Sequence, residues 1–211
     1  MGQRSYKGKI MKQLARVVGT VGLSSVIILV TSLLVFGFAN DNFSFLNDFI
    51  SELGARGEPY AFWFNLVTFV LVGLLLFVFG LSYGLLLNDK VLSFLLSLFG
   101  LGFGFTAIPV DLQLADAPVS KAHVLAICLG LAFWMFGLSR LGYSQRIAKR
   151  TRNMANCSAV FLLIAIIGFV LGAWSMPITH RLIFAVVFGW IAITSVQLII
   201  SEKHITPKRS V

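Results

Sequence analysis

Six apolar runs of spanning length constrain this chain more than any other feature. They fall at about 17–39, 61–87, 91–110, 121–141, 154–174 and 180–200. Roughly 20 helical residues cross a bilayer core, and in hydrocarbon a helix satisfies its own backbone N–H and C=O groups. None of the runs shows the apolar–polar alternation of a membrane β-barrel. The expectation is an all-α membrane protein, a bundle of six transmembrane helices forming one domain from 17 to 200. A basic segment, 1–16, precedes it and a basic tail, 201–211, follows. With 58% hydrophobic and 12% charged side chains, the chain lacks the polar residues to cover a water-soluble core. A soluble enzyme and a disordered tail are both excluded.

Charge sets the expected orientation. Arg4, Lys7, Lys9, Lys12 and Arg16 precede the first run; Arg140, Arg146, Lys149, Arg150 and Arg152 crowd the loop after the fourth; Lys203, Lys208 and Arg209 close the chain. With both termini in the cytoplasm, only Arg56, Lys121 and Arg181 of the 17 Lys and Arg lie outside. The positive-inside rule therefore predicts an N-in, C-in topology. Six of the eight acids, Asp41, Asp48, Glu52, Glu58, Asp111 and Asp116, fall on the outer side. The net charge of +9 thus reads as orientation and contact with anionic lipid headgroups, not as nucleic-acid binding. The expected location is the cell membrane, of the prokaryotic cytoplasmic kind. The first run is too long for a cleaved signal peptide. Cys128 and Cys157 sit inside apolar runs without metal-site spacing and read as packing residues.

Short links, such as Asn88-Asp89-Lys90, make successive helices antiparallel neighbours. The first outer loop, 40–60, is the one connection long enough to hold structure, including a short interfacial helix. Small-residue spacings at Gly80/Gly84, Gly100/Gly104 and Gly168/Gly172 allow close helix contact, within the chain rather than between copies.

The polar residues are distributed unevenly. The inner helix ends carry basic flanks. The outer ends gather Ser51, Glu52, Arg56, Asn65, Asp111, His123, His180 and Arg181 at or just inside the membrane boundary. Polar groups at that depth face protein or a watery cavity, so a pocket open to the outside is expected, with Ser51, Glu52, Arg56, Asn65, Asp111, His123 and Arg181 as its ligand-binding set. Plainer roles stand beside each. Arg181 also suits a headgroup anchor, His123 an interfacial packing residue, and Asp111, after Pro109, a turn. Asn65, between Phe64 and Leu66, needs a partner, for which Glu52 and Asp111 are the candidates.

The segment Ile50-Ser51-Glu52-Leu53-Gly54-Ala55-Arg56-Gly57, with Pro59-Tyr60 and Asn65, resembles the signature of the integral-membrane family labelled domain of unknown function 998. Ile108-Pro109-Val110-Asp111 with His123, and His180-Arg181 with Trp190, continue the likeness along most of the chain. Ile108 stands where the family has Phe. The resemblance implies six helices and carries no activity with it.

Two functional classes follow, with a third behind them. The first is a non-catalytic accessory or sensor module that binds a lipid or amphiphile at its outer face. The second is a membrane-embedded enzyme on a lipid-like substrate, with Glu52, Asp111 and His123 as catalytic candidates. No HExxH or GxSxG pattern specifies a reaction. A small transporter is third, since the helix centres lack ionisable groups. No cofactor is required by the sequence; a divalent metal suits the Glu/Asp/His set, whereas haem between His123 and His180 is disfavoured. Membrane lipids are the expected partners, and no protein partner is indicated.

Overall fold

The chain is described here from a computed structural model covering residues 2–114, 116–145 and 147–200. The tail 201–211, with Lys203, His204, Lys208 and Arg209, lies outside the described residues, as do Arg146 and the side chains of Arg4 and Lys7. Among the described residues there is no strand. Six helices follow in order: α1 (Gly2–Ala39), α2 (Ala61–Leu86), α3 (Lys90–Phe105), α4 (Pro118–Tyr143), α5 (Lys149–Val170) and α6 (Met176–Ile200). Five are long and apolar enough to cross a membrane. The sixth, α3, is apolar but has 16 residues, which at 1.5 Å per residue reach about 24 Å, short of a hydrocarbon core of about 30 Å.

Several expected boundaries move. The basic residues before position 17 are part of α1, which is helical from Gly2 onward. Lys, Arg and Gln are good helix formers, a preference that hydropathy does not register. The third run ends at Phe105 rather than 110; Thr106 folds its hydroxyl back to donate to the Phe103 carbonyl at 2.6 Å. The last three helices begin earlier than their apolar runs, at Pro118, Lys149 and Met176, with prolines in the first turns of α4 and α6, where a missing N–H costs nothing.

Each helix packs on its neighbours in sequence, and α6 closes on α1, so the six form a ring. Its interior is aromatic. Trp134 and Trp190 meet edge to face at 6.1 Å, and Tyr83 and Phe79 stack on one another and present their rings to Trp190. Outward faces stay apolar, with Leu163, Ile164 and Ile167 of α5 exposed, as a hydrocarbon solvent allows.

The tightest seam is between α2 and α3. A methyl on Gly73 would stand 2.5 Å from the Gly104 Cα, and one on Gly80 2.5 Å from the Leu96 carbonyl carbon. Gly84 and Gly100 lie equally close to Ser93 and Phe77. These glycines let backbones approach without a hydrophobic driving force, which lipid tails do not supply. Gly168 and Gly172 serve differently. Gly168 lies beneath the Trp174 ring, whose Nε1 donates to the Ala165 carbonyl at 3.1 Å, and Gly172 takes φ +73° beyond the end of α5.

Where α2 turns into α3, Asn88 takes φ 54° and Asp89 caps α3, accepting from the Leu92 N–H at 3.0 Å. Arg140 of α4 donates Nε to both carboxylate oxygens, at 2.8 and 2.7 Å. Partial burial pushes the Asp89 carboxyl upward, but the Arg140 hydrogen bond and charge, with the backbone donors, hold it below the usual carboxylate range.

Candidate functional site

The polar residues gather at the end of the bundle where 40–60 lies, opposite Asp89. That segment is held together by bonds within itself and joined by Arg56 to the loop after α3. Its short 3-10 helix, Ile50–Gly54, is closed by Glu52, whose Oε1 accepts from the Phe49 N–H at 2.9 Å. The Arg56 N–H donates to the Val110 carbonyl at 3.0 Å, Asn40 Nδ2 donates to Glu58 at 2.6 Å, and the Asp48 carboxylate accepts from the Ser44 N–H at 2.7 Å.

Arg181, near the start of α6, latches this segment down. It donates to the Asp48 carbonyl at 2.7 Å and to Pro177 at 2.8 Å, with Ser44 at 3.5 Å. Its partners are carbonyl oxygens rather than the carboxylates of Glu52 or Asp111. Asn65 departs from expectation in the same way: its Nδ2 donates to the Gly54 carbonyl at 2.8 Å. The amide packs so closely on Gly54 that any side chain there would collide with it. Asp111 makes a turn, its Oδ1 accepting from the Gln113 and Leu114 N–H groups at 3.0 and 3.1 Å, and Arg56 stands 4.0 Å from its other oxygen.

At Asn65–Leu71, α2 widens into a π-helix. Such turns are rare and are frequent at functional sites. Here the wider turn leaves Asn65, Thr68 and Phe69 all buried, and Thr68 donates to Ser32 of α1 at 2.9 Å. Phe69 thereby lines a cavity between α2, α3, α4 and α6.

That cavity is walled by Phe99, Phe103, Phe184, Phe188, Ile127 and Leu131 among others, with Ser51, Thr106, His123 and His180 as its polar members. About 40 Å³ of it is open to the centre of a water molecule. His123 is 3% exposed and has its Nδ1 2.9 Å from the Ile108 carbonyl. Its Nε2 and the Nδ1 of His180 are buried without a hydrogen-bond partner. His180 packs edge-on against Phe49 at 5.6 Å and beside Phe184 at 5.7 Å.

A second recess, of about 350 Å³, runs along the outside of α2 from Arg56 and Gly57 past Phe62, Asn65 and Leu66 to Val70. The expected residues therefore share one end of the bundle but divide. Ser51 and His123 face the inner cavity, Arg56 and Asn65 the outer recess, while Glu52, Asp111 and Arg181 hold the backbone together. His180 and Thr106, outside the expected set, also line the inner cavity. His180 was visible as a polar residue at a helix end; with α6 starting at Met176 it lies one turn in, at the level of His123. Among the described residues, no group of three or more His, Cys, Asp or Glu is placed to hold a metal ion, so Glu52, Asp111 and His123 do not form one donor set.

Comparison with protein-family models, with curated proteins and with solved structures finds no match.

Proposed function

We propose that this chain is a multi-pass protein of the cell membrane, with both termini cytoplasmic, that holds a lipid or other amphiphile in the cavity at its outer end without transforming it. One observation carries the reading: two imidazole nitrogens, His123 Nε2 and His180 Nδ1, buried without partners among the described residues in a wall made mostly of Phe, Ile and Leu. A buried polar group without a partner costs about 1–3 kcal/mol. A ligand with an apolar body and one polar head recovers that cost and suits the walls. In this reading the head group takes the water-accessible space and the body lies along the aromatic residues. The resemblance to domain of unknown function 998 supports the six-helix topology and adds no activity.

The catalytic alternative has less support. Glu52 and Asp111, two of its three candidate residues, are occupied by the Phe49, Gln113 and Leu114 N–H groups.

Native mass spectrometry of the protein extracted from its own membrane tests the proposal. A bound amphiphile near one per chain is expected, lost when His123 and His180 are both changed to Phe. A chain free of any such adduct under conditions that preserve other lipid complexes contradicts it.

A further inference from the structure

Hydrogen-bond direction at His123 narrows what the cavity accepts, resting on the reading above. The Ile108 carbonyl 2.9 Å from His123 Nδ1 can only accept, so Nδ1 carries the hydrogen of the neutral ring. Nε2, buried and without a hydrogen-bond partner among the described residues, is then a bare lone pair on a residue that lines the cavity. It needs a donor. A backbone carbonyl fixing one ring nitrogen so that the other is presented as an acceptor is how proteins select an imidazole tautomer. His180 is not constrained in this way. Its buried Nδ1 has no hydrogen-bond partner among the described residues, so that nitrogen is free to carry the ring hydrogen and donate. Thr106 spends its hydrogen on the Phe103 carbonyl and offers only lone pairs.

We infer that the ligand is an apolar alcohol, its hydroxyl donating to His123 Nε2 and accepting from the His180 ring N–H. A hydroxyl both donates and accepts, the combination the two rings call for. Ketones, esters and quinones present acceptors only and leave His123 Nε2 unsatisfied. Carboxylates and phosphates share that defect and bring a charge to apolar walls, which is costly without a countercharge. The nearest cation, Arg181, has its guanidinium on the Asp48 and Pro177 carbonyls.

The test uses the full chain in lipid nanodiscs with three probes of matched length: 1-decanol, 2-decanone and decanoate. Melting temperature gives relative binding, and ¹⁵N-histidine NMR gives the tautomer of His123. The expected result is a His123 ring protonated at Nδ1, an Nε2 resonance that moves with decanol, and decanol binding roughly tenfold tighter than the ketone, the worth of one hydrogen bond. His123→Phe abolishes the preference. Should that variant not fold, the wild-type tautomer and probe ranking decide alone. A proton found on Nε2, or ketone or decanoate binding as well as decanol, overturns the alcohol assignment while leaving the cavity reading intact. Failure of all three probes to bind overturns both.

Discussion

Replacing Arg181 with Ala removes the latch between α6 and the 40–60 segment, and its cost follows from three carbonyl contacts. The bond to Asp48, at 2.7 Å, crosses 133 residues of chain; that to Pro177, at 2.8 Å, is local to the helix; Ser44, at 3.5 Å, is too distant to count for much. Hydrogen bonds to a charged group contribute about 1.5–3 kcal/mol each. The local bond deserves less, because Pro177 sits in the first turn of α6. A total of about 2–3 kcal/mol results. For a chain of this size that is a fall of roughly 5–10 °C in melting temperature, readable from tryptophan fluorescence in detergent, with hydrogen exchange accelerating first at residues 44–48. Arg181→Lys recovers only part, since an ammonium reaches the two carbonyls less well than the guanidinium fork. Removing Glu52 as well brings little recovery, because its carboxylate caps Phe49 and reaches Arg181 only through its charge, without a hydrogen bond. Exposed Arg150 serves as control, and Arg150→Ala leaves the melt unchanged. An Arg181→Ala protein that melts with wild type, or one rescued by Glu52→Gln, refutes this assignment.

Four further outcomes follow from the rest of the bundle. Asp89→Asn keeps the α3 cap and loses only the Arg140 pair, at about 0.5–1 kcal/mol given that Arg140 is 44% exposed, whereas Asp89→Ala also loses the cap and costs about 1 kcal/mol more; calorimetry separates the two. Because the Asp89 carboxyl is held below its ordinary value, its contribution is full above the unfolded carboxylate value of about 4 and is lost as pH falls through the lower folded value, so acid melts of wild type and Arg140→Gln converge below that point. Gly100→Leu forces α2 and α3 apart at Phe77, and the protein should fail to accumulate, as judged by size-exclusion yield, while Gly189→Ala, with nothing near its Cβ position, behaves as wild type. Reporter fusions after Asn88 and Arg152 should report cytoplasm and those after Glu58 and Asp116 the outside; a cytoplasmic signal at Asp116 contradicts the proposed topology.

Number and order of helices were legible because a bilayer-length apolar run has few structural alternatives. Their ends were not. Ile108 and Val110 extend the third apolar run past the point where Thr106 stops the helix, and the basic start of α1 is invisible to hydropathy although it favours helix. At the site, residue type showed which positions are polar at membrane depth but not what they bond. Asn65 and Arg181 take backbone carbonyls, which every residue carries and no motif marks. The π-turn at Asn65–Leu71 depends on what α2 meets in the ring, so nothing local announces Phe69 as a cavity wall. Nor does the sequence distinguish the phenylalanines that face lipid, such as Phe94 and Phe136, from Phe103 and Phe188 inside. Their faces are decided by closure of α6 on α1.

The central claim is that an amphiphile enters the His123–His180 cavity rather than coating the outside of the bundle. Photocrosslinking in native membranes, with a medium-chain alcohol carrying a diazirine near its hydroxyl, measures this directly once the adducts are mapped by peptide mass spectrometry. The account predicts labelling at Ile127, Leu131, Phe184 and Val187, on the facing walls of α4 and α6, suppressed by unlabelled 1-decanol. Labelling confined to lipid-facing positions such as Leu163 and Ile167, unaffected by the competitor, contradicts it.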